Sequence, residues 1–229
     1  MKVGVIGAGT MGQGIAKAFA QTEGYEVMLC DIKQEWAEGG KDKIAKGYAK
    51  LVAKEKMTQE QADAIVAKIT PGLKEDLCAD CDLIVEAAFE NMEVKKTTFG
   101  ELDKICKPET IFASNTSSLS ITEIGNGLTR PMIGMHFFNP ADRMKLIEVI
   151  AGVNTPAETV DAIKNAINLL LCHFSFFNKF CISFYNLVFS AVSPLLLNIA
   201  ECNFVAFGLS ECLCNALSHG ACTNNAYLH

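Results

Sequence analysis

The chain has 229 residues, a net charge of −6 and only two arginines, Arg130 and Arg143. That balance supplies no basic patch for nucleic acid, and the length holds one large domain or two small ones. The start, Met-Lys-Val-Gly, enters an apolar run without a secretory or transit pattern, so a cytoplasmic protein is expected.

Val3 to Ile6 is apolar and short enough for a buried strand. Gly7, Gly9 and Gly12 then spell G-x-G-x-x-G, and an amphipathic run through Ile15, Ala16, Ala18 and Phe19 follows. Each glycine has a physical task. Gly7 permits the tight turn off the strand, Gly9 has no side chain to hold a pyrophosphate away from the backbone, and Gly12 lets helix and strand pack closely. The free N–H groups at the helix start, around Thr10 and Met11, would face phosphates. Asp31 stands 19 residues after Gly12 at the end of a second apolar strand, Glu26-Val-Met-Leu-Cys-Asp. An acid there suits a ribose 2′-OH, so the pattern predicts NAD, and a carboxylate would repel the 2′-phosphate of NADP.

Residues 33–55 read as a long helix, and Thr58-x-x-Gln61 opens a second with a capping box, ended by Pro71-Gly72. This pair is expected to project as a helical hairpin insertion able to touch a second ligand. Strands follow at 82–86, 110–114, 132–136 and 146–150, with helices at 91–106, 120–125 and from 156 through 166. Strands alternating with helices predict an α/β fold, a doubly wound, mostly parallel sheet of the Rossmann type. Cys78-x-x-Cys81 has redox-like spacing, yet Asp80 and Asp82 disfavour a thiolate. Cys30, Cys78, Cys81 and Cys106 are read as reduced core thiols, with no metal expected.

Ligands of such sheets gather at the carboxyl ends of the strands. Three polar clusters fall there: Glu90 to Lys95, Asn115-Thr116-Ser117-Ser118, and His136-Phe-Phe-Asn139. Glu148 lies on the strand after His136, where a short strand pair could face the two. A carboxylate on one imidazole nitrogen raises the basicity of the other, as alcohol oxidation by NAD requires. Spacing alone leaves His136 open between such a base and a satisfied core histidine.

The segments Gly-Ala-Gly-Thr-Met-Gly, Asp-Leu-Ile-Val-Glu-Ala-Ala, Ser-Asn-Thr-Ser-Ser-Leu-Ser-Ile-Thr and Gly-Met-His-Phe-Phe-Asn-Pro, in this order, resemble the 3-hydroxyacyl-CoA dehydrogenase family over residues 1 to about 168. The resemblance implies NAD as cofactor, an acyl-CoA substrate of short chain, His136 as general base and Glu148 as its orienting partner. It implies Ser117 at the substrate oxygen, Asn139 at the nicotinamide end, and Asn115 among the cofactor-binding residues. Glu90 and Lys95 would meet the ribose and phosphate region, and Lys54 the CoA moiety, where it competes with the reading of a solvated lysine. The family is homo-oligomeric; no nucleic acid or membrane partner is expected.

Three features depart from the family pattern. Leu128 to Gly134 looks about two residues short. Asp142-Arg143 replaces a Pro-Val type pair, which is expected to put Arg143 within reach of Glu148. The Gly-Phe-x-x-Asn-Arg motif of the second, helical, dimer-forming domain is missing. Composition changes near residue 170: residues 170–229 hold only three of the 46 charged residues (Lys179, Glu201 and Glu211) but six of ten Cys and eight of fourteen Phe. The expected division is a nucleotide domain at 1–169 and an atypical apolar tail at 170–229. For the tail, an out-of-frame replacement competes with a membrane span over 180–200 and a metal site from Cys202, Cys212, Cys214, His219 and Cys222.

Overall fold

The computed structural model describes residues 1–144 and 146–173, and residues 181–182 and 203–209 as strands. The elements run β1 (Lys2–Ile6), α1 (Thr10–Gln21), β2 (Glu26–Cys30), α2 (Gln34–Val52), α3 (Gln59–Ala67), β3 (Ile69–Gly72), α4 (Lys74–Leu77) and β4 (Leu83–Glu86). They continue as α5 (Met92–Ile105), β5 (Ile111–Ser114), α6 (Ile121–Ile124), β6 (Met132–Phe137), β7 (Ile147–Ala151) and α7 (Ala157–His173). Strands β8 (Cys181–Ile182) and β9 (Asn203–Leu209) follow.

The sheet order is β3-β2-β1-β4-β5-β6-β7-β9-β8. Strands β1 to β6 pair in parallel, and β7 turns back antiparallel to β6. The order reverses between β1 and β4, which opens a crevice at their carboxyl ends.

Strand side chains alternate between the two faces, as a period of two requires. Val3, Val5, Leu83, Val85, Ala113, Ile133 and Met135 point into one core with Phe19 of α1 and Ile163 and Ile167 of α7. Ile6, Ile84 and Phe112 point into the other, under Phe99 and Leu102 of α5 and Ile121 and Ile124 of α6. Phe19 anchors the first core edge-on to Tyr25 with centroids 5.2 Å apart. Truncating such a fully buried ring costs about 3–5 kcal/mol. Cys30, Cys78, Cys81 and Cys106 lie in the second core as free, buried thiols.

The capping box forms as expected: Gln61 N–H donates to the Thr58 hydroxyl and Thr58 N–H to the Gln61 amide oxygen. The helical pair packs one face on the sheet: Ile44 and Tyr48 of α2 and Ala62 of α3 are buried in the first core, Ala37 is buried too, and residues 53–56 between the two helices are exposed. The apolar stripe of α2 is long enough to clamp that helix on the sheet.

Pro71-Gly72, read as a helix stop, belongs to β3, a strand parallel to β2. Proline is tolerated there because β3 is an edge strand, with no second neighbour needing its missing N–H. Helix α7 continues through residue 169 to His173, so the expected domain boundary falls within a helix. Among the described residues no helix is long and apolar enough to cross a membrane, and no group of three or more His, Cys, Asp or Glu could hold a metal ion. The candidate span at 180–200, apart from Cys181–Ile182, and the proposed Cys/His metal set lie outside the described residues.

Candidate active site

The nucleotide end is built from backbone. Gly7 has φ 101°, a left-handed conformation that favours glycine. A Cβ there would sit 2.8 Å from the Ala87 carbonyl oxygen, and one on Gly12 would sit 1.7 Å from the Gly7 carbonyl oxygen. At Gly9 a Cβ would meet nothing within 4 Å, so the space above this residue is open to a ligand. Gly9 is also the N-cap of α1, with no side-chain cap and no acidic residue in the first turn. The helix start at Thr10 and Met11 is therefore free to receive an anion.

Asp31 is fixed by two backbone donors. Ala8 N–H reaches its Oδ2 at 2.7 Å and Ile32 N–H its Oδ1 at 2.8 Å. Each carboxylate oxygen keeps a lone pair for a ribose hydroxyl. Beside it lies a cleft of about 480 Å³ whose lining includes Gly7, Asp31, Ile32, Ala88, Val94 and Thr98. Open backbone at Gly9, an uncapped helix start and an anchored acid fit an adenine dinucleotide without a 2′-phosphate.

The other end is built from side chains. The antiparallel register of β6 and β7 sets His136 opposite Glu148. Nδ1 and the Glu148 Oε2 are 2.7 Å apart, with the two side chains 17% and 25% exposed. The carboxylate fixes the proton on Nδ1, which leaves Nε2 as the acceptor. Nε2 has no partner among the described residues. The Phe138 ring packs on the imidazole at 4.8 Å.

Asn115 links the neighbouring loop to this strand, its Oδ1 accepting from Phe137 N–H at 2.7 Å. Asn139 follows β6 and is exposed. Ser117 is exposed too, and its hydroxyl has no partner among the described residues.

Glu90 orders the Ser117 loop. Its Oε1 accepts from the Thr116 hydroxyl at 2.5 Å, Ser117 N–H at 3.2 Å and the Ser118 hydroxyl at 3.2 Å. Burial works against the charge on Glu90, but the Thr116 hydroxyl and then Lys95 hold its pKa below the usual carboxylate value. The Lys95 ammonium lies 3.3 Å from Glu90 and 2.8 and 3.0 Å from the two oxygens of Glu86. Lys95 is 1% exposed and Glu86 0%. The Ser114 hydroxyl and the Ala88 N–H complete the shell of Glu86, donating at 2.6 and 2.7 Å.

Lys95, expected at the ribose and phosphate region, thus has its ammonium committed to two carboxylates beneath the loop. Glu86 was missed by sequence reasoning, since it reads as the last residue of an apolar strand. Its signal was weak: an acid ending such a run, with a lysine nine positions on.

Lys54 sits in the exposed turn after α2, its ammonium unpaired among the described residues. Arg143 does not reach Glu148. It lines a cleft with Gln13, Lys17 and Lys43 of α1 and α2, drawn there by its neighbour Asp142, which pairs with Lys17 at 2.6 Å. The short segment before β6 still delivers that strand in register with β5 and β7.

The sequence profile of the 3-hydroxyacyl-CoA dehydrogenase NAD-binding domain matches residues 2–170. A probable 3-hydroxybutyryl-CoA dehydrogenase of Deinococcus radiodurans is 47% identical over 163 residues, covering 69% of this chain and 57% of the relative. The crystal structure of 3-hydroxybutyryl-CoA dehydrogenase from Escherichia coli K12 superposes with a TM-score of 0.71 at 39% identity, over 74% of this chain and 36% of that one. That of (S)-3-hydroxybutyryl-CoA dehydrogenase from Ralstonia eutropha gives 0.69 at 38% identity, over 74% and 60%. The chain thus spans little more than half the length of the Deinococcus relative. It belongs to the 3-hydroxyacyl-CoA dehydrogenase family and carries that family's NAD-binding domain.

Proposed function

We propose that this chain interconverts a short-chain (S)-3-hydroxyacyl-CoA, such as 3-hydroxybutyryl-CoA, with the corresponding 3-ketoacyl-CoA. The observation that carries this reading is the His136–Glu148 pair at 2.7 Å, at the carboxyl end of the sheet that also bears the dinucleotide crevice. NAD, when bound, supplies the hydride acceptor. His136 Nε2 takes the proton of the C3 hydroxyl, and the Glu148 carboxylate steadies the imidazolium that results. In the reverse direction Nε2 returns that proton to the ketone oxygen.

Ser117, whose hydroxyl has no partner among the described residues, bonds the substrate oxygen, and Glu90 holds its loop. Asn139 lines the nicotinamide end, and Asn115 sets the spacing between the Ser117 loop and β6. Lys54 serves the CoA moiety. The names of the similar proteins support the substrate class, and a cytoplasmic location is part of the same proposal.

The unit that does this is residues 1–169. Residues 170–229 stand as an out-of-frame replacement of the relatives' second domain, a reading supported by the drop to three charged residues. A second reading, a catalytically silent NAD-binding module, is favoured by the chain's coverage of 57% of the Deinococcus relative and by the missing Gly-Phe-x-x-Asn-Arg motif.

The test is acetoacetyl-CoA-dependent NADH oxidation by the full chain, beside NADH binding. His136→Gln is expected to lower turnover by about 10²- to 10⁴-fold while NADH binding stays within twofold. A parent chain that binds NADH but shows no turnover establishes the second reading and overturns the first.

A further inference from the structure

The strand β3 carries more than sheet edge. Gly72 pairs in register with Cys30, and its carbonyl accepts from Asp31 N–H at 3.3 Å. Two residues on, Lys74 starts α4 and joins Asp31 in lining the cleft beside the glycine loop. Lys74 is the one cation among the described residues that line it. Asp31 is the residue that meets the ribose 2′-OH, so Lys74 lies at the end of the cleft where a 2′-phosphate would have to sit.

Its ammonium is nevertheless occupied. Glu75 Oε1 lies at 2.6 Å and Glu101 Oε2 at 3.2 Å, the lysine side chain being 15% exposed and the two acids about half exposed. Glu93 and Glu101 line the same cleft, so the acids there outnumber the cation.

We propose that Glu75 and Glu101 are specificity-determining residues for the dinucleotide, because by holding Lys74 between them they deny a 2′-phosphate the one cation that lines the cleft among the described residues. This rests on the assignment of NAD to the crevice. It adds a second layer to discrimination by Asp31. The acid repels the extra phosphate directly, and the clamp withholds a partner that would otherwise bind it. A lysine released from two carboxylates can swing on its four-carbon stem and give a phosphate a charge-assisted hydrogen bond.

The experiment is a fluorescence titration of the full chain with NADH and with NADPH. The parent is compared with the Glu75→Gln/Glu101→Gln double variant and with a triple variant that adds Lys74→Gln. Both acids are surface residues, so the double variant keeps the fold. The dissociation constant for NADPH is expected to tighten about tenfold in the double variant, the size of one charge-assisted contact. That for NADH stays within twofold. Adding Lys74→Gln returns NADPH to its parental affinity.

An NADPH affinity that does not improve in the double variant overturns the proposal. So does an improvement that survives Lys74→Gln, since it would come from general charge reduction rather than from the freed ammonium. If the parent binds neither nucleotide, the cofactor assignment itself fails, and the proposal falls with it.

Discussion

The two ends of the crevice achieve order by opposite means. At the nucleotide end the ligand meets peptide groups and empty space, and the glycines are placed by what cannot fit: a Cβ at Gly12 would meet the Gly7 carbonyl oxygen at 1.7 Å. At the acid–base end the order runs through charged side chains, from Glu86 through Lys95 to Glu90, whose carboxylate holds the Ser117 loop. The first end depends chiefly on sterics, with Asp31 as its anchored carboxylate. The second depends on which groups carry charge.

Breaking the charge network at its centre gives the largest expected effect. Lys95→Met leaves Glu86, 0% exposed, without its cation, and is expected to cost about 3–5 kcal/mol in thermal unfolding of the chain. Adding Glu86→Gln to that variant should recover part of the loss, because the stranded charge is then gone. No recovery would mean that packing of the lysine stem, rather than the ion pair, sets the stability.

Gly12→Ala attacks the other end. The helix must move off the strand, at about 3 kcal/mol, the top of the overpacking range, and NADH binding should be lost. Binding retained at parental affinity would show that the glycine loop tolerates a wider gap between helix and strand.

The smallest effect sharpens the comparison by titration. The pKa of Glu90 is lowered in the folded chain from its ordinary value of 4.5, so its contribution to stability is present above that pH. It is lost as pH falls through the lower folded value. Acid should therefore loosen the Ser117 loop, read as faster amide exchange at Ser117, whose N–H donates to Glu90. The glycine loop should keep its protection over the same range. A Glu90→Gln variant should lose this pH dependence.

The same contrast explains what the sequence disclosed. G-x-G-x-x-G and Asp31 are legible because the requirement is residue identity at fixed spacing along one local unit. The His136–Glu148 pair was also within reach, since two short strands joined by a brief connection have few registers that keep Met135 and Val149 both buried. Glu86 and Lys95 were harder. Their pairing follows from how α5 lies over β4, and burial of a lysine to 1% runs against its usual exposure. The strand β3 was lost because Ile-Thr-Pro-Gly contains two residues that argue against a strand, and only its place at the edge excuses them. The packed face of the helical pair was harder to see for a related reason: charge along α2 masks the four residues, Ala37, Gly40, Ile44 and Tyr48, that it buries.

The buried thiols give the fold a clock. Cys78 and Cys81 are 0% exposed in the core beneath β1 and β4; the Cys78 thiol lies 3.7 Å from that of Cys30 and the Cys81 thiol donates to the Leu77 carbonyl, and the neighbouring thiols together with burial push both pKa values well up. Burial pushes Cys106 up to about 11. A thiol reagent needs both access and a thiolate, so it can modify these sulfurs only after the surrounding strands have parted. The labelling rate of Cys78, followed residue by residue in the presence and absence of nucleotide, therefore counts openings of the sheet itself.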